Sequence, residues 1–274
     1  MVVITVGPVA EDDVFSTDYD TDLNTVVTGN DIYLSGSTFV AISNPLNGVI
    51  TFNPDGSFNY NPNNGFTGID TFSYKVCSPA PNGTLCDEAL VTIVVSPRAE
   101  NDTYTTPFGT PVASDVKVND LFSAGSLFDN LSSPMNGTVV FASNGTFEYT
   151  PDPGFTGLDS FLYTVCLPSP YSTLCDTALV VIAVGPIAED DSYTTPYDTD
   201  VNSSVPGNDT YPTGSVFTKL TNPTNGVVTF NSNGTFNYNP NAGFTGVDVF
   251  TYQVCLPAPN GTLCDPATVT IVVG

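Results

Sequence analysis

Between residues 48 and 95 the apolar side chains fall at every second position. Ile50 and Phe52 are followed by Phe58 and Tyr60, then Phe72, Tyr74 and Val76, then Ala89, Val91, Ile93 and Val95. A spacing of two puts each set on one face of an extended strand, and no stretch shows the three-to-four spacing of an amphipathic helix. Turn residues interrupt the alternation every eight to twelve residues or so, the pattern of an all-β sandwich. Seven strands are predicted, near 12–17, 22–28, 37–43, 48–53, 57–61, 70–77 and 86–95. The fourth and fifth form the plainest hairpin: Asn53-Pro54-Asp55-Gly56 turns the chain, and its glycine supplies the positive φ that the turn requires.

The whole pattern returns with a period of 89 residues. Cys77, Cys166 and Cys255 keep that spacing, as do Cys86, Cys175 and Cys264, and the turn at 10–13 comes back at 99–102 and 188–191. Such a period is too long for a solenoid unit and suits a small domain with its own core. The chain therefore predicts three tandem domains, 8–96, 97–185 and 186–274. Met1–Gly7 aligns with Leu90–Ser96 and is expected to be the terminal strand of a preceding repeat, extended away from repeat one. The linkers Val95–Ala99 and Val184–Ala188 are short and contain proline, which should limit bending between domains.

Charge changes the picture of partners. Four basic residues against 28 acidic ones give a net charge of −24. That surface repels nucleic acid and anionic lipid and favours divalent cations as counter-ions. No segment approaches the roughly 18 apolar residues of a membrane span, so neither nucleic acid nor membrane insertion is expected. Catalysis is not expected either. Histidine is absent, and Lys75, Arg98, Lys117 and Lys219 occupy different positions in their repeats. No recurring base can thus activate the many hydroxyls, and a convex sandwich offers no cleft for the paired carboxylates of a glycosidase.

The six cysteines form one C-x8-C pair per repeat, without CxxC spacing or a histidine partner. Alternation turns Cys77 and Cys86 outward on one exterior face. The expected disulfides are therefore Cys77–Cys86, Cys166–Cys175 and Cys255–Cys264, which imply an oxidising, extracellular compartment. Each would close a loop of about ten residues and contribute roughly 2.7 kcal/mol in the chain-entropy description. The alternative is reduced, buried cysteines.

Four motifs recur: [DN]D-x-[FY] at the head of each repeat, N-G-x-[IV] before the fourth strand, G-F-T-G-x-D-x-F-x-Y, and a closing run such as Thr268-Val-Thr-Ile-Val-Val273. On these the chain resembles, end to end, the bacterial Ig-like, cadherin-like tandem repeats of large secreted or surface adhesins. The resemblance implies three seven-stranded Ig-like β-sandwich domains in a linear array, a cell-surface or extracellular location, an adhesive or spacer role, and calcium. The chain departs from the family in the second–third loop, where an aspartate-rich sequence is replaced by Asn119-Asp120-Leu-Phe-Ser-Ala-Gly-Ser126 and its equivalents.

Sandwich topology gathers the head of the first strand with two loops, bringing Glu100, Asp102, Asp120 and Asp176 to one domain junction. Glu189, Asp191, Asp209 and Asp265 reach the next. Two or three carboxylates with carbonyls could hold calcium there. The alternative is that Asp102 and its equivalents accept hydrogen bonds from turn backbones while the other acids are solvated. Asp70, Asp159 and Asp248 face inward and are expected to accept N–H groups of the preceding Gly-rich corner. Tyr74, Tyr163 and Tyr252 resemble the tyrosine that ties the corner before the sixth strand. Asn82, Asn144 and Asn260 begin N-G-T tripeptides that match glycosylation acceptors or simple turns. The expected function is a stalk or filament segment. Its partners are adjacent repeats, with other copies in a fibre or a cell-surface ligand as further candidates. The alternative is direct adhesion to a glycan or protein through Tyr33, Tyr171 and Tyr211.

Overall fold

The computed structural model describes residues 6–274. The expectation for Met1–Gly7 falls outside the described residues, save for Val6 and Gly7. Repeat one contains β1 (Asp13–Thr17), β2 (Leu23–Val26), β3 (Thr38–Ala41), β4 (Gly48–Phe52), β5 (Ser57–Pro62), β6 (Gly68–Cys77) and β7 (Cys86–Val95). Repeat two follows the same order from β8 (Asp102–Thr106) and β9 (Val112–Asp115) through β10 (Leu127–Asn130), β11 (Gly137–Phe141), β12 (Thr146–Pro151) and β13 (Gly157–Cys166) to β14 (Cys175–Val184). Repeat three runs from β15 (Asp191–Thr195), β16 (Val201–Ser204) and β17 (Val216–Lys219) to β18 (Gly226–Phe230), β19 (Thr235–Pro240), β20 (Gly246–Cys255) and β21 (Cys264–Val273).

Each repeat is a sandwich of a four-stranded and a three-stranded sheet, ordered β1-β7-β6-β3 and β2-β5-β4 in repeat one. The alternating residues meet between the sheets, so that Tyr60, Tyr74, Val76, Val91 and Ile93 are fully buried. Phe58 meets Phe72 edge-on, ring centroids 5.2 Å apart at 75°. That geometry contributes about 0.5–1.5 kcal/mol beyond the buried area.

Two features of register matter for function. β6 and β7 pair over their whole length, from Gly68↔Val95 to Cys77↔Cys86, which sets the cysteines opposite one another. Disulfides join Cys77 to Cys86, Cys166 to Cys175 and Cys255 to Cys264. Their surroundings are not uniformly exterior: Cys86 is exposed, whereas Cys255 is buried. The second feature is that β1 lies parallel to β7, in register from Asp13↔Val91 to Thr17↔Val95. The first and last strands of a repeat are thus neighbours, and the same holds for β8 with β14 and β15 with β21.

Consecutive repeats are apposed. Ser96 and Pro97 of the first linker are buried. A Cβ on Gly68 would lie 3.1 Å from the Ser123 side chain, and one on Gly185 would lie 3.3 Å from Leu263. Val94 and Ala183, near the ends of β7 and β14, are 0% and 2% exposed, while their counterpart Val272 is 39% exposed. The next repeat therefore covers the outer face of that strand end. Arg98 adds a contact peculiar to the first junction, with its guanidinium 5.3 Å from the Tyr19 ring centre and its charge paired with Glu100.

Candidate functional site

The acids expected at the junctions do come together, at the head of each repeat and mostly beneath the surface. In repeat two, Asp102 opens β8, Asp120 lies in the loop after β9, and Tyr163 reaches between them from β13. The sandwich presents Tyr163 inward because it alternates with Phe161 and Val165. Its hydroxyl lies 2.9 Å from both carboxylate oxygens of Asp120 and 3.1 Å from the Glu100 carbonyl. Asp120 also accepts the Glu100 N–H at 2.8 Å, and Asp176 accepts the Ala99 N–H at 2.9 Å. Asn119 donates its amide to the Asn101 carbonyl at 3.1 Å. The other repeats reproduce the arrangement, with Tyr74 on Asp31 and Tyr252 on Asp209.

Burial governs the electrostatics. It pushes the carboxyls of Asp13, Asp102 and Asp191 up to about 6, reinforced in Asp13 by Asp31 and in Asp102 by Asp120. Asp120 and Asp209 are also raised by burial, against the pull of their backbone and tyrosine donors. The three tyrosines are pushed far above the ordinary phenol value, first by burial and then by the adjacent carboxylates.

As arranged in repeat two, these residues do not fit calcium. The ion needs about six to eight oxygens with lone pairs free to face it. Here the Asp120 carboxylate faces the Tyr163 hydroxyl and the Glu100 N–H, the Glu100 carbonyl faces the Asn119 amide at 3.4 Å, Asp176 faces a backbone N–H, and the Glu100 side chain is paired with Arg98. Among the described residues, no three acidic, cysteine or histidine side chains are disposed to hold a metal ion. The competing expectation also needs correction. The second-loop aspartates, not those at the head of the first strand, accept from turn backbone. Asp102 Oδ2 and Asp13 Oδ2 meet no donor among the described residues.

Two further expectations change partners. Asp159 accepts from Met135 and Asn136 N–H at 2.9 and 2.8 Å, from Ser160 N–H at 2.9 Å and from the Tyr149 hydroxyl at 2.9 Å. The main-chain donors thus come from the Asn-Gly turn before β11, together with the N–H that follows Asp159. The Gly-rich corner keeps its own: Phe155 N–H is bonded to the Asp152 carbonyl. Asp70 and Asp248 repeat this contact. Tyr74, Tyr163 and Tyr252 do not tie the corner, because six residues of strand separate them from its end, roughly 20 Å. The tyrosines near that end are Tyr60, Tyr149 and Tyr238, each bonded to the inward aspartate of its own repeat. The exact 89-residue recurrence of the Asn-Asp pair and of the sixth-strand tyrosine was the signal for the head cluster, but it names no partners.

Of the tyrosines considered for adhesion, Tyr33 is exposed and Tyr171 and Tyr211 are half-buried. Tyr33 and Tyr211 stand edge-on against Phe39 and Phe217, each with centroids 5.0 Å apart, and Tyr171 is half-buried at the first junction beside Gly68 and Ser123. Asn144 forms a turn, its side chain accepting from Thr146 N–H at 3.1 Å and from the Thr146 hydroxyl at 2.8 Å. Among the described residues no helix is long and apolar enough to cross a membrane.

The sequence profile of a bacterial Ig domain matches residues 6–94, 95–182 and 184–272. No curated protein sequence matches the chain. Among solved structures, the chain is similar to an I-band fragment of titin at 9% identity and a TM-score of 0.37, over 99% of this chain and 100% of that one. It is similar to Drosophila N-cadherin EC1-4 at 11% identity and a TM-score of 0.27, over 97% and 74%. A third similarity is to an endo-fucoidan hydrolase of glycoside hydrolase family 107, at 15% identity and a TM-score of 0.25, covering 92% of this chain and 41% of the hydrolase.

Proposed function

The chain belongs to the bacterial Ig domain family, and on that premise we propose that it is a load-bearing spacer, a segment of a stalk or filament displayed outside the cell. The observation that carries this reading is the parallel pairing of first and last strands. The chain enters a repeat at the start of β1 and leaves at the end of β7, and five residue pairs hold those strands side by side. Tension between neighbouring repeats pulls the two strands in opposite directions along their shared axis. Their hydrogen bonds are then loaded together rather than opened one by one. The apposed junctions carry the load from one such pair to the next.

The disulfides support the same reading and an oxidising, extracellular setting. Each closes the β6–β7 hairpin at its open tip, a long loop that would otherwise be a site of nicking and unravelling. Direct adhesion to a glycan or protein is the weaker alternative, because Tyr211 and Tyr171 are half-buried.

Single-molecule pulling on the 274-residue chain tests the proposal. Three unfolding events of similar force and length are expected. Reductant should lengthen each event by about 30 Å, because nine residues of separation between paired cysteines are released at roughly 3.5 Å each. Unfolding without resolvable force peaks would defeat the load-bearing reading. Saturable binding of the chain to an immobilised glycan or cell surface would favour adhesion instead.

A further inference from the structure

In repeat three the Tyr252 hydroxyl lies 3.1 Å from Asp191 Oδ2 and 3.0 Å from both oxygens of Asp209. Three carboxylate oxygens converge on a group that owns one hydrogen. In repeat two the Tyr163 hydrogen faces Asp120, and Asp102 is left with Tyr104 at 3.5 Å. Tyr104 gives its own hydrogen to the Asp115 carbonyl at 2.9 Å. Asp102 is only 7% exposed and Asp13 only 8%, and the Oδ2 of each meets no donor among the described residues. A carboxylate held out of water without donors is strongly disfavoured. A carboxylic acid brings the missing hydrogen with it.

We propose that the head of each repeat is a proton-binding site. Asp191 takes a proton from solvent and donates it to the oxygen of Tyr252, 3.1 Å away, which in turn donates to ionised Asp209. Asp13 and Asp102, whose Oδ2 atoms have no partner among the described residues, do the same for Tyr74 and Tyr163 as the carboxyl closes to hydrogen-bond distance, with Asp31 and Asp120 ionised. Every group in that chain then has a partner. The ionised aspartate also holds the N–H of Glu11, Glu100 or Glu189 just ahead of the first strand. Proton uptake therefore fastens that strand's head to the second-loop turn.

The charges around the site agree. Asp102 faces Asp120 on the loop after β9, with Asp176 on β14 and Glu100 on its own approach also near Asp120, while Tyr104 and Tyr163 supply the hydroxyls. In repeat one Asp13 faces Asp31 and Asp12, and in repeat three Asp191 faces Asp209 and Asp190. In repeat two the cations are already paired, Arg98 with Glu100 and Lys117 with Asp115. Burial lifts the three first-strand carboxyls to about 6 from an ordinary 3.8. Between those values the folded chain binds more protons than the unfolded one, so the stabilisation is complete below the ordinary value and is lost as pH rises through about 6.

The test is thermal unfolding of the whole chain between pH 5 and pH 8 with chelator present. The wild-type melting temperature should be roughly 5–10 °C higher at pH 5 than at pH 8, with the rise setting in below about pH 6. A chain carrying Asp13→Asn, Asp102→Asn and Asp191→Asn keeps the shape and supplies an amide hydrogen to the tyrosine oxygen. It should hold the higher value at pH 8 and lose the step. A flat wild-type profile, or an undiminished step in the variant, overturns the proposal. Carboxyl-carbon NMR of the wild-type chain reads the site without substitution: three aspartates titrating near pH 6 support it, and none above the ordinary range defeats it. Calcium that raised the melting temperature at pH 8 and abolished the step would assign the cluster to a cation instead, and so would also overturn it.

Discussion

Replacing Asp159 with asparagine is expected to destabilise repeat two almost as much as replacing it with alanine, by about 3–5 kcal/mol in either case. The carboxylate is 5% exposed. Oδ1 accepts two backbone N–H groups, and Oδ2 accepts a third N–H and the Tyr149 hydroxyl. Asparagine keeps one acceptor and turns an NH2 group against the donors that faced the other. Alanine leaves all four donors unanswered, and each buried unpaired donor costs about 1–3 kcal/mol before relaxation. Calorimetry of the full chain should show the unfolding of repeat two move far down in temperature while that of the other two repeats stays. An asparagine variant that unfolded like the wild type would show that a single acceptor suffices. The contrast with Asp102 is instructive, because there the same substitution is expected to stabilise the repeat above neutral pH. What separates the two aspartates is the number of hydrogens aimed at each.

Gly137→Ala should be nearly as damaging, by about 2–4 kcal/mol. The added methyl would lie 2.6 Å from the Thr150 carbonyl oxygen and 2.6 Å from the edge of the Tyr149 ring. That carbonyl belongs to β12, whose backbone pairs with β11 from Gly137↔Pro151 onward. Relief therefore requires parting the hairpin or moving Tyr149 away from Asp159. Gly154→Ala provides the control. It has a φ of +86° and nothing within 4 Å of the added methyl, so only the left-handed backbone is strained, at roughly 1–2 kcal/mol. Urea unfolding of the two variants should separate steric overlap from backbone strain. Equal losses would show that the tyrosine ring yields freely.

Much of the fold is legible in the sequence. Alternation marked all seven strands, and β1 to β7 lie within about two residues of the positions it predicts. The same alternation chose the core, because Phe72, Tyr74 and Val76 need only point the same way to share an interior. At the head of the repeat it was less informative. It placed Asp102, Asp120 and Asp176 near one another, yet the donors that face these carboxylates, such as the Tyr163 hydroxyl, come from as far as 43 residues along the chain from Asp120.

The sequence by itself determined what depends on near neighbours: strand positions, inward and outward faces, turns, and the opposition of the two cysteines across one hairpin. These follow from a backbone whose side chains alternate every residue and whose glycines permit particular turns. Tertiary structure alone decided that the first strand runs parallel to the last, 78 positions apart in the Asp13↔Val91 pair. It also decided that Asp70 faces the Asn-Gly turn rather than its own corner, and that in repeat three one tyrosine hydrogen faces two aspartates. Such choices arise when two sheets stack and bring together groups whose separation along the chain says nothing of their distance in space. Hydrogen bonds form between the atoms that meet there, and periodicity does not encode which atoms those are.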